Sequence, residues 1–295
     1  MLQSTPIYDI CTLSDFKEDD ILISRFAPYL AHHKNLSAAH RHTFYHLVLF
    51  TEGSGSHAID FENFTVKPWQ IYFMIPGQVH SWSFDGFTDG YIINFSTAFF
   101  QPFLLNPAYP EGFSFFTGDV QASVINLPDH QHQKVKDRVE EIITEYESRR
   151  TLGVDMLRVL MLQLFITVKR LNDPGVEKGP ASYNQTLLRN FNKLIGEHYL
   201  RLKLPRDYAD LLYITPNHLN AICKDILGIP AGELIRNRTM LEAKRLLTNP
   251  KLTITEIAFN LNFNDNSYFT KFFKKVEGIT PEEFRKNILK NHHHE

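Results

Sequence analysis

"LTITEIAFNLNFNDNSYFTKFFKKVEGITPEEFRK", residues 252–286, decides how the back of this chain folds. Its apolar residues recur at helical rather than strand spacing. Ala258 is small, as a close crossing of two helices requires. Asn262 sits where a turn is needed and tolerates a left-handed backbone. Phe263, Phe269, Phe272 and Phe273 form a core-facing set, which leaves Asn266, Ser267, Thr270, Lys271 and Lys275 largely outside. A short helix, a tight turn and a longer helix is the layout of a helix-turn-helix.

The same plan occurs some fifty residues earlier. "YADLLYITPNHLNAICKDILGI" (208–229) and "IAFNLNFNDNSYFTKFFKKVEGI" (257–279) both run from a small helix carrying Ala through a turn to a longer helix and Gly-Ile. In the first, Ala209 marks the crossing, Thr215 is an N-cap and Pro216 takes the first helical position, where its missing N–H does no harm. Leu219 and Ile222 face inward, so Asn217, Asn220, Ala221 and Lys224 face outward. These outward sets suit DNA. Asn pairs bidentately with adenine, Lys reaches guanine or phosphate, and Ser and Thr suit either. A solvated polar face is the plain alternative for one unit. Two units joined by the helix "AGELIRNRTMLEAKRLLTN" (231–249) favour DNA.

Here the chain resembles a known family. Residues 184–288 look like the DNA-binding domain of the AraC/XylS family of bacterial transcription regulators, through "ITPNHLNAICKDILGIPAGELI", "RNRTMLEAKRLLTN" and the opening stretch. The resemblance implies two recognition helices entering successive major grooves on one face of double-stranded DNA. It places base contacts at Asn217, Asn220 and Ala221 in the first unit, and at Asn266, Ser267, Thr270 and Lys271 in the second. Two departures stand out. Ala221 replaces a frequent Arg and offers at most contact with a thymine methyl. Tyr213 replaces a frequent Gly, so the first turn is expected to be built differently and its helix to read less.

Charge agrees in direction. From residue 181 onward there are 17 Lys/Arg against 12 Asp/Glu; before it there are 14 against 21. If either half meets nucleic acid, it is the back. Cys11 and Cys223 fall in different domains, so no stabilising disulfide is expected, which suits the reducing cytoplasm. No apolar run of 18 residues predicts a membrane span, and no basic start with an apolar core predicts a signal peptide. The tail "NHHHE" is set aside from site reasoning.

The front reads as strands: "ILISRFAPYL", "FYHLVLFT", "SHAIDF", "QIYFMI", "HSWSF" and "GYIINFS" are short and rich in β-branched and aromatic residues. "EGSGS" reads as a hairpin and "IPGQ" as another turn. The period then becomes helical over 131–149, where Val135, Val139, Ile142, Ile143 and Tyr146 share a face, and over 154–171, which is apolar round most of its circumference. "NDPGVEKGPAS" (172–182) is a linker. The expected fold is α+β in two domains: a cupin-like β-barrel with two C-terminal helices over 1–172, a linker over 173–182, and an all-α pair of helix-turn-helix units joined by a linker helix over 183–290.

"HRHTFYHLVLFTEGSG" (40–55) and "FTVKPWQIYFMIPGQVHSW" (64–82) resemble the cupin-type sensor domain of the same family. Metal-binding cupins carry His-x-His, a Glu four residues on, and a later His in a Pro-Gly-x-x-His turn. Here His40 and His42 match the pair, His46 stands in the Glu position and His80 matches the last. In an extended strand residues 40, 42, 44 and 46 share one face, which Phe44 and Val48 make apolar. Tyr45 and Leu47 point to the opposite, core side. Imidazoles suit zinc, iron, copper or nickel, but no anionic ligand accompanies them, and the resemblance implies that most such sensors bind organic molecules. His40, His42, Phe44, His46, Val48, His80 and Trp82 are therefore the candidate effector-binding residues. A transition metal on His40, His42, His46 and His80, and a filled structural core, are the alternatives.

The leading expectation is a ligand-responsive transcription regulator, not an enzyme and with no cofactor, acting as a homodimer through its two central helices. The segment 1–20 could close over the pocket as an arm. The competing readings are a metal-dependent cupin oxygenase or isomerase fused to a DNA-binding module, and a DNA-binding dimer with a purely structural barrel.

Overall fold

The computed structural model describes residues 6–13, 20–105, 109–172 and 183–291. The linker 173–182 and most of the proposed arm lie outside them. The chain divides into a front unit, Thr5–Val176, and a back unit that follows it. Among the described residues no helix is long and apolar enough to cross a membrane.

The front unit opens with β1 (Ile7–Tyr8), α1 (Ile10–Leu13), β2 (Ile21–Arg25) and α2 (Phe26–His32). There follow β3 (His40–His42), β4 (Tyr45–Glu52), β5 (Gly55–Ile59), β6 (Glu62–Val66), β7 (Gln70–Met74), β8 (Val79–Phe84) and β9 (Asp89–Phe95). It closes with α3 (Val120–Ser123), β10 (Val124–Asn126), α4 (Asp129–Ser148) and α5 (Gly153–Asn172). Two five-stranded sheets result, in the orders β1-β3-β8-β5-β6 and β10-β7-β4-β9-β2.

Side-chain alternation along the second sheet builds two cores from one strand. Val48 and Phe50 of β4 join Tyr72, Met74, Trp82 and Ile92 between the sheets. Leu47 and Leu49 point the other way and pack with Phe73, Ile93 and Phe95 under Val139 and Ile142 of α4 and Leu164 and Phe165 of α5. Each such side chain contributes about 1.5–3 kcal/mol when fully buried. This double burial explains why β4 reads as a nearly continuous apolar run. Arg25 fastens the helical layer: it pairs with Asp89 (2.5 Å) and Glu140 of α4 (3.2 Å), and lies 4.5 Å from the Tyr91 ring centre.

Three sequence expectations change here. "ILISRFAPYL" is a strand only as far as Arg25. Pro28 cannot donate to a ladder, and the chain turns into α2, whose Ala27 amide donates to the Asp89 carboxylate. "EGSGS" is not a hairpin. β4 pairs with β7 and β9, and β5 with β6 and β8, so Gly53 and Gly55 carry the chain from one sheet to the other. Gly55 has φ 137°, and a Cβ there would sit 2.2 Å from the Ser83 carbonyl oxygen. "IPGQ" is the expected turn, at Pro76-Gly77, and it carries the chain from β7 in one sheet to β8 in the other. The two-residue hairpin is at Asp60-Phe61, the end of what reads as the strand "SHAIDF". Asp60 has φ 52° and accepts from Val79 N and Gln78 Nε2.

Among the described residues the elements of the back unit are all helices: α6 (Tyr183–His198), α7 (Pro205–Leu211), α8 (Pro216–Leu227), α9 (Ala231–Leu247), α10 (Ile254–Asn260), α11 (Asn266–Glu277) and α12 (Pro281–Asn291). It has two cores. Phe191, Tyr208, Ala209, Leu219 and Ile222 form one, and Ile257, Ala258, Phe269, Phe273 and Phe284 the other. Helix α9 enters both, with Ala231 and Ile235 in the first and Met240, Ala243 and Leu247 in the second.

The two helix-turn-helix turns are built alike, against expectation for Tyr213. In the first, Ile214 N donates to Ala209 O (3.0 Å) and Tyr213 N to Asp210 O (3.2 Å). In the second, Phe263 N donates to Ala258 O (2.9 Å) and Asn262 N to Phe259 O (2.9 Å). Both are Schellman motifs with a left-handed residue after the helix cap, at φ 55° for Tyr213 and φ 61° for Asn262. The hydrogen-bond frame dictates the turn, and Tyr213 accepts a conformation that costs a residue with a Cβ roughly 1–2 kcal/mol. Its side chain is 96% exposed, so it loses no packing on replacement. Tyr213→Gly is expected to raise back-unit stability by up to about 1 kcal/mol, less the greater backbone entropy of glycine. Chemical denaturation followed by circular dichroism measures this; a loss of stability would contradict it.

Candidate functional site

In the back unit, helices α8 and α11 present the polar faces. Each begins at a side-chain cap that satisfies a free helix amide: Thr215 Oγ1 accepts from His218 N, and Asp265 Oδ1 accepts from Tyr268 N. Asn217, Ala221 and Lys224 are exposed on α8, and Ser267 and Lys271 on α11. Asn266 and Thr270 are half-buried, with Thr270 Oγ1 3.4 Å from Asn266 Oδ1. Asn220 departs from its expected outward role. It is half-buried, and its Oδ1 accepts from Ala231 N (3.1 Å), holding the start of α9 against α8. Only its amide N–H groups remain for a partner. Tyr268, outside the set expected from sequence, is 61% exposed on the same helix as Lys271. The signal was present, since 268, 271 and 275 are spaced i, i+3, i+7 along one helical face.

The two units are tied together near their turns. Lys203 Nζ donates to Tyr199 O (2.8 Å) and to Leu261 O (3.2 Å), and Arg238 lies 4.0 Å from the Tyr199 ring centre. Burial pushes the Lys203 ammonium down to about 8. These contacts and α9 hold α8 and α11 in one frame, which two-groove reading requires.

In the front unit five histidines, not four, come together between the sheets. His40, His42, His46, His57 and His80 are each 3% exposed or less. His40 and His42 lie on β3 and His46 on β4, in different sheets, because the chain changes sheet at Thr43 and Phe44. His80 pairs in register with His40 on one side and Ile59 on the other, and His57 enters from β5. His57 sits in "SHAIDF", where strand alternation puts it on the same face as Ile59. Only the β5–β8 pairing reveals its neighbours.

Ring nitrogens of His40, His42 and His80 lie within 4.8 Å of one another. His42 Nε2 and His80 Nε2 are 2.7 Å apart, and His80 Nδ1 is 3.2 Å from His57 Nε2. His46, in the carboxylate position of the cupin pattern, stays outside this trio. Its ring stacks on His42 at 4.9 Å and its Nδ1 meets Asn94 Oδ1 at 2.6 Å. The Phe44 ring is tilted against His42 at 4.4 Å, and Trp82 meets His80 edge-on at 4.9 Å. Phe44 and Val48 are fully buried in the inter-sheet core.

Among the described residues no carboxylate offsets the burial. Desolvation pushes His40 down to about 4 and His46 to about 3, and holds His42, His57 and His80 well below 6.5. The cluster is neutral at pH 7. The unfolded chain, with ordinary histidines near 6.5, binds more protons than the folded one below that pH. Stability is therefore full above about pH 6.5 and falls as pH drops towards 4, by up to about 1.4 kcal/mol per pH unit for each histidine. Both tryptophans, Trp69 and Trp82, lie in the front unit. Urea unfolding followed by tryptophan fluorescence should show the midpoint falling between pH 7 and pH 5; an unchanged midpoint would contradict the buried neutral cluster.

Residues 25–163 match a family model described as an AraC-like ligand binding domain, and residues 208–287 one described as a helix-turn-helix domain. Regulatory protein PocR of Salmonella typhimurium is 32% identical over 119 residues, 39% of this chain and 38% of that protein. The probable transcription factor PqrA of Proteus vulgaris is 40% identical over 70 residues, 24% of this chain and 57% of that protein. The match thus spans less than two thirds of either relative. The HTH-type transcriptional activator RhaS of Enterobacter sp. is 20% identical over 259 residues, 83% of this chain and 86% of that protein. A crystal structure of ToxT from Vibrio cholerae O395 aligns with a TM-score of 0.43 at 14% identity, covering 90% of this chain and 96% of that one. With a ligand-binding-type front unit and two helix-turn-helix units behind it, the chain belongs to the AraC/XylS family of transcription regulators.

Proposed function

We propose that this protein is a sequence-specific DNA-binding transcription regulator of the cytoplasm, governed by a small ligand in the front unit, and that it is not an enzyme. The observation that carries this reading is the pair of capped helices, α8 and α11, whose exposed polar faces are held in one frame by α9. Asn217, Ala221 and Lys224, with the amide of Asn220, serve the first half-site. Asn266, Ser267, Thr270 and Lys271 serve the second. The ligand occupies the histidine-lined region of His40, His42, Phe44, His46, Val48, His80 and Trp82. It acts only if it binds two arrangements of the protein with different affinity. The arm reading gains support from β1, which pairs with β3 and sets the Tyr8 ring 5.6 Å from His40.

A homodimer through α5 suits paired half-sites. Leu152, Met156 and Val159 are 72%, 49% and 45% exposed. Within α5, Met156, Val159 and half-buried Ile166 follow the 3-4-3 spacing of a helix-packing seam, broken only by Gln163, and Leu152 adjoins the helix start. Val159→Glu is expected to convert the dimer to monomer in analytical ultracentrifugation while leaving the circular dichroism unchanged. A dimer that persists would remove α5 from the interface.

Genomic binding-site mapping supplies the operator. On it, Lys271→Ala should weaken binding by about 1–3 kcal/mol, roughly 5- to 150-fold, at fixed moderate salt. Fluorescence anisotropy measures this, and unchanged affinity would remove Lys271 from the DNA face.

A further inference from the structure

From the inter-sheet histidine cluster we infer that His40, His42 and His80 form a binding site for one divalent late transition-metal ion, with the Ala38 carbonyl orienting the His40 imidazole and His57 that of His80. This deepens the sensor reading, on which it rests, by giving the chemical class of the ligand.

The argument starts from unmet hydrogen bonds. His40 Nε2, His42 Nδ1, His46 Nε2 and His57 Nδ1 are buried without a hydrogen-bond partner among the described residues. Each orphaned buried polar atom costs roughly 1–3 kcal/mol, and four of them occur in one cluster. The other ring nitrogens explain which lone pairs are available. His40 Nδ1 donates to Ala38 O (2.7 Å), so its Nε2 carries the free lone pair. His46 Nδ1 donates to Asn94 Oδ1 in the same way. His80 is engaged through Nδ1 by His57, which leaves its Nε2 towards His42 Nε2. His40 and His80 thus have the arrangement of a metal-binding imidazole, with the far nitrogen engaged by a carbonyl or side chain and the near nitrogen turned towards the site.

Ligand chemistry narrows the ion. The donors are neutral imidazoles with no carboxylate among the three, which suits zinc, cobalt, nickel or copper and not magnesium or calcium. Three imidazoles leave a fourth position for another ligand, as open zinc sites do. His42 Nε2 and His80 Nε2, 2.7 Å apart, share one proton in the metal-free chain. Tetrahedral ligation at about 2.0–2.1 Å sets two donors about 3.3 Å apart, so modest ring rotation, with that proton moving to the unpartnered His42 Nδ1, makes room for the ion while every imidazole stays neutral. The surroundings favour an ion over a drug-sized molecule. Phe44, Val48, Phe50, Tyr72, Met74 and Ile92 are all at most 1% exposed and packed into the same core.

The test uses the full chain with His292, His293 and His294 replaced by serine, so that the tail does not bind the probe. After loading with Zn²⁺ and dialysis, elemental analysis should give about one zinc per chain. Co²⁺ titration should give visible absorption saturating at one equivalent, unchanged by excess Mg²⁺. His40→Ala and His80→Ala should each reduce retained zinc to below about a tenth of an equivalent. His57→Ala should keep the stoichiometry but weaken affinity roughly 10- to 100-fold, as loss of an orienting partner does; His57→Gln should recover part of it. Less than a tenth of an equivalent of zinc and no cobalt absorption in the tail-substituted chain would overturn the site. Operator binding, measured with and without Zn²⁺, separates the two readings. Intact DNA binding without metal uptake overturns the metal site alone. Metal uptake with unchanged operator affinity overturns the ion's sensory role and leaves the site standing.

Discussion

Helix α9 is the element on which DNA reading depends. Its N-terminal half is buried with α6, α7 and α8, and its C-terminal half with α10, α11 and α12. A helix of 17 residues spans about 25 Å at 1.5 Å per residue. Because both cores use the same rigid rod, neither helix-turn-helix can shift without exposing apolar surface. Asn220 and Lys203 add polar fastening at each end, one at the start of α9 and the other across to the second turn. In the first unit this leaves a split in duties. The Asn220 oxygen serves the fold, while Asn217 and Lys224 stay exposed on the helix surface.

The front unit depends on a different constraint, the passage of one strand between sheets. β3 belongs to one sheet and β4 to the other, with only Thr43 and Phe44 between them. That crossing brings His40, His42 and His46 together although they do not lie on one strand. The glycine-rich crossing after β4 and the Pro-Gly crossing after β7 then return the chain so that His57 and His80 complete the cluster. Burial keeps all five imidazoles neutral. Neutral lone pairs in an apolar enclosure are suited to receiving a ligand and poorly suited to holding a proton.

The same sheet also links cluster and helices. Along β4, residues alternate between the inter-sheet core and the layer beneath α4 and α5. Asn94 of β9 contacts His46, while its neighbours Ile93 and Phe95 pack under the helices. A change in the imidazole positions is therefore one residue removed from the helical layer. Arg25, Asp89, Tyr91 and Glu140 fasten that layer at its edge.

Local chemistry made much of the molecule legible. The period change from strand to helix, the Thr215-Pro216 start of α8, the alternation of Leu47 and Val48, and the repeated helix-turn-helix plan all follow from side-chain spacing and capping, which act over a few residues. What nearby residues could not express depended on pairing between distant ones. "EGSGS" has hairpin residues yet crosses between sheets, because the partners of β4 and β5 lie elsewhere in the chain. Tyr213 looked incompatible with the second unit's turn, yet the amide-to-carbonyl frame to Ala209 and Asp210 imposes the same left-handed residue. Asn220 looked like a base reader until α9 placed an amide against it. The three-histidine set was half visible as His-x-His. Exchanging His46 for a role beside Asn94, and admitting His57, took the strand register of β5 and β8. The sequence alone determined the two-domain plan and the repeated helix-turn-helix with its polar faces, since those reside in short-range patterns. Tertiary structure decided which imidazoles meet, because convergence from both sheets is set by long-range pairing that no local spacing encodes.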